Sequence, residues 1–594
     1  MYLSSLRIEN FRRLHEAQLT FQPGLNVIVG ENNSGKTAII DALRAVLDER
    51  RLDVEDLRFD KTTGKTSDSL LVEAKFDGLS VDDEAAFNKA LIPGDAPGKY
   101  RARLAVSASL RGDEIFRIFE AGRGPNTGVF HDVLNARRVH FLPALRDPNS
   151  SAGLRPGRQS RQAELLRRIS NDEDREKMIE IASRANVDLK ATPAIDRAKK
   201  IVKANLDLLS GPVYAEDADL SFLDPEFNRL VAQLEGRADG MPVGVDGLGY
   251  GNIYYIAAVL GDFEEDGQNP KRYRALLIEE PEAHLHPQHQ ILLLRFLQER
   301  SGKLGRPIQI FVTTHSPILG SQAAMTGLLP LIDERGPVSE PEGEADETKP
   351  EHILTKASPI EIEGTAYSAA RVAQYLDATR SELFFARRLI LVEGDAERIL
   401  VPMLLKRHYG QFPEALAVTI VSAAGLNFAV FLPFIRGKVL NVPVAIVTDG
   451  DPPVRQIEGE ELEPSAYVKK LVSLVEADPC IEVFPSRKTF EYDLAREAEN
   501  AEPLMEAMER IRPKKAAQFR KTFGHLSGDE FAEKFYTEFF GSGTTSKAEF
   551  AMEVALSLKD NPAIPLGIPQ YLLDAFKHVV GDSIPPNAPS PPNA

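Results

Sequence analysis

Two sets of residues in this chain have the types and spacing needed for phosphate and metal chemistry. The first begins with Gly30-Glu-Asn-Asn-Ser-Gly35-Lys36-Thr37, which satisfies the phosphate-loop pattern G-x-x-x-x-G-K-[ST]. Glycines let backbone N–H groups curl round a β-phosphate, and a helix starting there adds its positive dipole end. Asn33, Gly35, Lys36 and Thr37 are the expected nucleotide contacts: Lys36 neutralises β/γ oxygens, and the Thr37 hydroxyl is placed to ligate the Mg²⁺ of ATP. Farther on, an apolar run ends in Glu279-Glu280-Pro281. The first acid is suited to hold the metal's water shell, and Glu280 to orient the attacking water as the catalytic acid of ATP hydrolysis. Glu279 stands where aspartate is usual, which predicts a looser metal geometry. A second apolar run, residues 308–312, ends in Thr313-Thr314-His315-Ser316-Pro317, where His315 can sense a γ-phosphate by hydrogen bonding.

The second set is acidic and lies in the C-terminal half. Glu393 follows the apolar residues 389–392, and Glu397 comes four residues later, in the first turn of a helix expected from Asp395. Asp449-Gly450-Asp451 follows another apolar run. Glu491 comes later still, with Asp493 as an alternative third acid. Clustered carboxylates repel one another unless divalent cations neutralise them. Glu393, Glu397, Asp449, Asp451 and Glu491 therefore predict bound Mg²⁺ or Mn²⁺, with Ca²⁺ also compatible. A set of oxygen donors without thiolates does not favour zinc.

The elements that must position these groups follow from hydrophobic patterning. Residues 25–29, 275–278 and 308–312 read as buried strands, as do 389–392, 418–421 and 442–448. Residues 38–47 and the segment beginning Ile253-Tyr-Tyr read as helices. The parts combine as an α/β chain. Residues 1–150 and 241–333 form the two halves of one sheet-containing domain, interrupted at 151–240 by a charged helical arm. Residues 334–381, acidic and Pro-rich at first, are a linker and return. Residues 382–500 are a second α/β core, 501–583 a helical part, and 584–594 a proline-rich tail expected to be disordered.

The chain has 594 residues, 43% of them hydrophobic, and a formal net charge of −17. That length suits three or four domains. The acidic balance excludes a protein that coats nucleic acid through overall charge, but not one using local basic patches. Two such patches are residues 154–168 and 511–521. No apolar run is long enough for a membrane helix, and the first residues lack the apolar block of a signal peptide. The single cysteine, Cys480, excludes an internal disulfide framework, and the expected compartment is the cytosol.

The order of IENFRRL, GENNSGKT, DGLGYGN, LLIEEPEAHLHP and TTHSP resembles the ABC-type ATPase domain of the RecF/SMC and OLD groups. By that resemblance, the segment 246–252 is a signature element whose Gly249 and Gly251 meet the γ-phosphate held by another subunit, so a homodimer or higher oligomer is implied. The glutamate, DxD and later acid of the C-terminal half resemble a Toprim domain. Together with HFLPALRD at 140–147, the whole chain resembles the OLD (overcoming lysogenization defect) endonuclease family, in its class 2 or Gabija-type branch. This resemblance implies a DNA endonuclease with Glu393 and Asp449 as central catalytic ligands. It assigns Lys547, which matches a family lysine, to transition-state stabilisation. It also implies a helical dimerisation arm, anti-phage defence and a helicase-like partner. A rival reading is a non-catalytic DNA-sensing ATPase that uses the Toprim region for binding or assembly. Strand passage would need a nucleophilic tyrosine, and no tyrosine sits in a recognisable motif for it; primer synthesis would show as nucleotide incorporation.

Overall fold

The computed structural model describes residues 1–30, 34–48, 50–60, 64–112, 114–125, 133, 135–144, 156–157, 160–210, 219–238, 240–243, 248–264, 272–303, 308–323, 327–336, 352–357, 376–377, 379–436, 440–452, 463–541, 543, 545–581 and 584–585. Five parallel strands form a first sheet in the order Arg137–Leu142, Tyr273–Glu279, Gln309–Thr314, Leu25–Val29, Leu328–Pro330. These strands are apolar on both faces because both faces are covered. Val27, Leu276, Ile278, Ile310 and Val312 pack with Ile256, Leu260, Leu294 and Leu297 of the helices Leu248–Glu264 and Pro287–Lys303. The alternate residues Ile28, Leu277 and Phe311 face the helix Lys36–Leu47.

That helix is clamped from its other side by a larger, mainly antiparallel sheet. Its central strands are Tyr100–Arg111, Ser69–Asp77, Tyr2–Phe11 and Leu14–Thr20. Two described parts of the region expected as a linker and return are strands: Ile332–Gly336 pairs with His352–Ala357, which extends this sheet in parallel beside Leu14–Thr20. Acidic, Pro-rich composition hid the short β pattern on either side of it. Gln309 ties the two sheets together. Its buried amide nitrogen donates to Leu3 O at 2.9 Å and Gln22 O at 3.0 Å, while its oxygen accepts from Leu3 N at 2.8 Å and the Tyr273 hydroxyl at 3.0 Å.

Within the expected helical arm, Asp172–Lys190 and Pro193–Ser210 bury no residue. Arg161–Ile169 packs on Leu248–Glu264. In the C-terminal half, four parallel strands lie in the order Val418–Ser422, Arg388–Val392, Val444–Thr448, Ile481–Pro485. Leu389, Leu391, Val444 and Ile446 share the core of the first parallel sheet, and Phe384 and Phe434 extend it. On the opposite face, Ile390, Val392, Ala445 and Val447 meet a helical layer whose aromatic centre is Phe519, Phe531, Phe535 and Phe539. Most of the tail lies outside the described residues. Among the described residues no helix is long and apolar enough to cross a membrane.

Replacing Gln309 by alanine strands buried backbone groups of Leu3 and removes four hydrogen bonds at once. The expected loss is roughly 2–4 kcal/mol of unfolding free energy in urea titration. A loss within about 0.5 kcal/mol, the range of ordinary surface changes, would show that the two sheets do not depend on this tie.

Candidate functional site

The carboxyl ends of the first parallel sheet bring the nucleotide residues together, as open α/β sheets do for ligands. Strand pairing sets Glu279 beside Thr313 and Val29 beside Thr314. Gly35 has φ 103°, in the region that favours glycine, and a Cβ there would stand 2.8 Å from Leu14. The helix Lys36–Leu47 starts on the next residue. Lys36 is buried and donates to Gly30 O at 2.7 Å, so its ammonium is folded over the loop it would cross to reach a phosphate. The Thr37 hydroxyl hydrogen-bonds the Glu279 carboxylate. Burial and then Asp41 raise the Glu279 pKa, with the Thr37 bond opposing. A hard cation shared by Thr37 and Glu279 fits this donor pair, since it would offset the cost of a buried carboxylate.

Glu280 takes φ 41° and lies 3.0 Å from His315 Nε2. Glu282, the third acid of the EEPE run, gives no sign of its role in the sequence. Its Oε1 accepts from Thr314 Oγ1 at 2.6 Å and His315 N at 2.8 Å, which holds the His315 backbone against the Glu280 loop. Gly249 belongs to the same neighbourhood because a Cβ on it would meet His284 O at 2.5 Å. Gly251 follows on the same helix, and Asn252 donates to Ala283 O at 3.0 Å. Asn33 and residues 244–247 lie outside the described residues.

The second site forms where the C-terminal sheet reverses direction of growth. The strand Arg388–Val392 has Val418–Ser422 on one side and Val444–Thr448 on the other, a topological switch point whose crevice opens at the carboxyl ends. Glu393 and Asp449 stand there. Glu393 Oε2 accepts from Thr448 Oγ1 at 2.9 Å and Asp449 N at 3.0 Å. Asp449 Oδ1 accepts from Phe490 N at 2.8 Å, and its Oδ2 lies 3.3 Å from Lys547 Nζ. Lys547 Nζ is also 2.8 Å from Glu491 Oε2. Glu491 is fully buried, and its Oε1 has no hydrogen-bonding partner among the described residues. Glu397 Oε2 accepts from Gly394 N at 3.1 Å, so this acid also caps its own helix.

Gly450 allows the close approach of two loops: its N–H donates to Ser486 Oγ, and a Cβ would stand 2.2 Å from Ser486 O. Asp451, with φ 42°, is exposed on the rim. Asp493 turns elsewhere and accepts from Arg487 N at 2.7 Å, leaving Glu491 as the third acid of the pocket. Thr448 and Ser486 were unmarked in sequence because a hydroxyl gains a role only from the strand end it reaches.

Electrostatics give the pocket its character. Burial pushes Glu397 up to about 7, with Glu491 and Glu393 adding to the rise. Burial also raises Asp449 well above the usual carboxylate range; Lys547 opposes this, while Glu491, Glu397 and Glu393 reinforce it. Lys547 is lowered by burial, but Glu491 and Asp449 outweigh that and hold it charged. Among the described residues no three acids or imidazoles already stand in metal-ligating geometry. The buried oxygen of Glu491 without a partner and the mutual repulsion of hard oxygen donors fit a divalent cation nonetheless.

Within the two basic segments, two arginines have acidic partners. Arg520, within 511–521, is paired with Glu502 at 2.6 Å and with Glu509. Arg161 pairs with Glu164 at 2.7 Å and stacks on Tyr255.

A carboxyl with a raised folded pKa binds its proton more tightly in the folded than in the unfolded chain. For Glu397 that stability is present below the ordinary value of 4.5 and is lost as pH rises through about 7. Metal-free protein should therefore melt at progressively lower temperature from about pH 5 to about pH 8. Mg²⁺ or Mn²⁺ should restore more at the upper end, and Glu397→Gln should flatten the slope. A melting temperature insensitive to both pH and cation would refute a shared acidic pocket.

Two family models match the chain. One, described as "AAA domain, putative AbiEii toxin, Type IV TA system", covers residues 25–319; the other, described as "Overcoming lysogenization defect protein-like, TOPRIM domain", covers residues 384–451. The OLD nuclease of Thermus scotoductus is 26% identical over 464 residues, which is 76% of this chain and 82% of that protein. Endonuclease GajA of Bacillus cereus is 26% identical over 257 residues, 39% of this chain and 35% of its own length. Among solved structures, the C-terminal region of the Burkholderia pseudomallei OLD protein matches 33% of this chain and 97% of its own at 23% identity, with a TM-score of 0.24. The chain thus carries an AAA-type ATPase region followed by an OLD-like Toprim region, and is similar to an OLD nuclease over 76% of its length.

Proposed function

We propose that this protein is an ATP-binding, divalent-metal-dependent DNA endonuclease. The observation that carries the reading is the meeting of Glu393, Glu397, Asp449, Glu491 and Lys547 at one sheet switch point, three of the acids buried. The names of the OLD nuclease and GajA relatives support it. Glu393 and Asp449 would be the central ligands, with Glu397, Asp451 and Glu491 completing a pair of cation sites. Two bound cations would supply a water of lowered pKa and charge stabilisation for the leaving 3′-oxygen. Phe490 N–H and the Thr448 hydroxyl keep the Asp449 and Glu393 carboxylates aimed into the crevice. Lys547, beside Asp449 and Glu491, would supply its ammonium charge to a nonbridging phosphate oxygen.

In the ATPase domain, Lys36 would hold the β/γ-phosphates, and Thr37 with Glu279 would hold the nucleotide's Mg²⁺. Glu280 orients the attacking water while His315 reads the γ-phosphate. Gly249 and Gly251 of a second copy close the site, so nucleotide binding draws two heads together and controls access to the acidic pocket. The arm helices support self-association, because Val187, Ile201, Leu208 and Leu209 are exposed on elements that bury nothing. The family resemblance extends the proposal to anti-phage defence, in a class 2 or Gabija-type setting with a helicase-like partner.

A second reading, a DNA-sensing clamp without cleavage, draws on Lys547 already neutralising Asp449 and Glu491. Supercoiled plasmid incubated with Mg²⁺, Mn²⁺ or Ca²⁺, with and without ATP, separates the two. Wild type should yield nicked or linear DNA, and Asp449→Ala or Lys547→Ala should lower the rate by about 10²–10⁴-fold while DNA binding persists. Undiminished cutting by Asp449→Ala would discard the site assignment, and no cutting by wild type with any cation would favour the clamp. Glu280→Gln should lower ATP hydrolysis by about 10²-fold or more with nucleotide binding retained.

A further inference from the structure

The segment that delivers Glu491 to the acidic pocket also carries three cations: Arg487, Lys488 and Arg496. It is built into the wall of the pocket. Lys488 O accepts from Asp451 N at 3.1 Å, and Arg487 N donates to Asp493 at 2.7 Å. The backbone is thus fixed by bonds that leave the three side chains able to change partners. Their present partners are two carboxylates one turn apart on the helix Gly528–Phe539. Asp529 pairs with Arg487 at 3.4 Å and with Arg496, and Glu533 pairs with Lys488.

These ion pairs are not what holds that helix in place. Phe531, Phe535 and Phe539 bury its opposite face in the aromatic core. Side-chain exposures of 54% for Asp529 and 40% for Arg487 put the pairs in water, where such interactions contribute little to stability. Three cations facing two carboxylates set a run of basic side chains beside Asp451, along the rim of a pocket that is otherwise acidic. Exchanging each carboxylate for a phosphate oxygen would keep every charge-assisted bond and add counterion release.

We propose that Arg487, Lys488 and Arg496 form the track for the phosphate backbone of a DNA strand entering the pocket, and that Asp529 and Glu533 fill this track as phosphate mimics until DNA displaces them. The inference rests on the endonuclease reading and adds to it the binding rim and a built-in competitor that selects against weak, transient DNA encounters.

The test measures binding of a short fluorescent duplex across a salt series, cleavage kinetics and melting temperature. The wild type is compared with Asp529→Ser/Glu533→Gln and with Arg487→Gln/Lys488→Gln. Removing the mimics should tighten DNA binding about fivefold at low salt and lower KM for cleavage with kcat unchanged. Removing the two cations should weaken binding and reduce the salt slope by about 0.9 for each phosphate that is no longer neutralised. Arg487→Lys/Lys488→Arg should keep the wild-type slope, so a variant that merely unfolds cannot pass for the predicted effect. The proposal is overturned if wild type binds and cuts DNA while the mimic-free variant binds no tighter and the cation-free variant keeps the full slope; the pairs would then be structural only. Wild type that neither binds nor cuts DNA would remove the endonuclease reading, and the track with it.

Discussion

Like charges gathered in a place with little water are the constraint on which the C-terminal half depends. Glu393, Glu397, Asp449 and Glu491 approach one another at the end of a parallel sheet, and burial denies the last three the solvent that would screen their repulsion. Such a cluster persists only with protons, an ammonium or metal cations among the carboxylates. Lys547 supplies one charge, backbone and hydroxyl donors supply partial ones, and Glu397 and Asp449 lean toward the protonated form. The cost of assembling the acids is the same property that would give the pocket affinity for divalent cations.

The same architectural rule builds the nucleotide end. In both parallel sheets, alternate apolar residues face cores on opposite sides, and the acids of each site follow where strands stop. Gly35 and Gly450 relieve the crowding that follows when loops converge on those strand ends. Because Val27, Ile310, Leu389 and Val444 belong to one continuous core, the ATPase sheet and the Toprim sheet are not joined by a linker alone. Phe384 and Phe434, edge to face, belong to that shared core.

Surface charge shows where sequence composition misleads. Residues 511–521 look like an open basic run, yet Arg520 is held between Glu502 and Glu509. Arg487, Lys488 and Arg496 are scattered through an ordinary mixed sequence, yet they border the pocket. Charge counted along the chain does not record which helix will stand opposite.

The phosphate loop was legible from sequence because its function depends on local backbone geometry, a strand, a tight glycine turn and a helix start that adjoin in the chain. Strand-ending acids such as Glu279, Glu393 and Asp449 were legible for a related reason, since an apolar run fixes where a parallel strand stops and what it presents there. The strand pair Ile332–Gly336 and His352–Ala357 was not, because His352–Ala357 draws stability from pairing with Leu14–Thr20, far away in the chain. Nor could sequence decide between Glu491 and Asp493, two residues apart on one helical turn. In the folded chain one carboxylate turns toward Lys547 and the other toward the Arg487 N–H. Local order is written in neighbouring residues, whereas the partners of a buried charge are set by whichever distant segments the fold brings within a few ångströms.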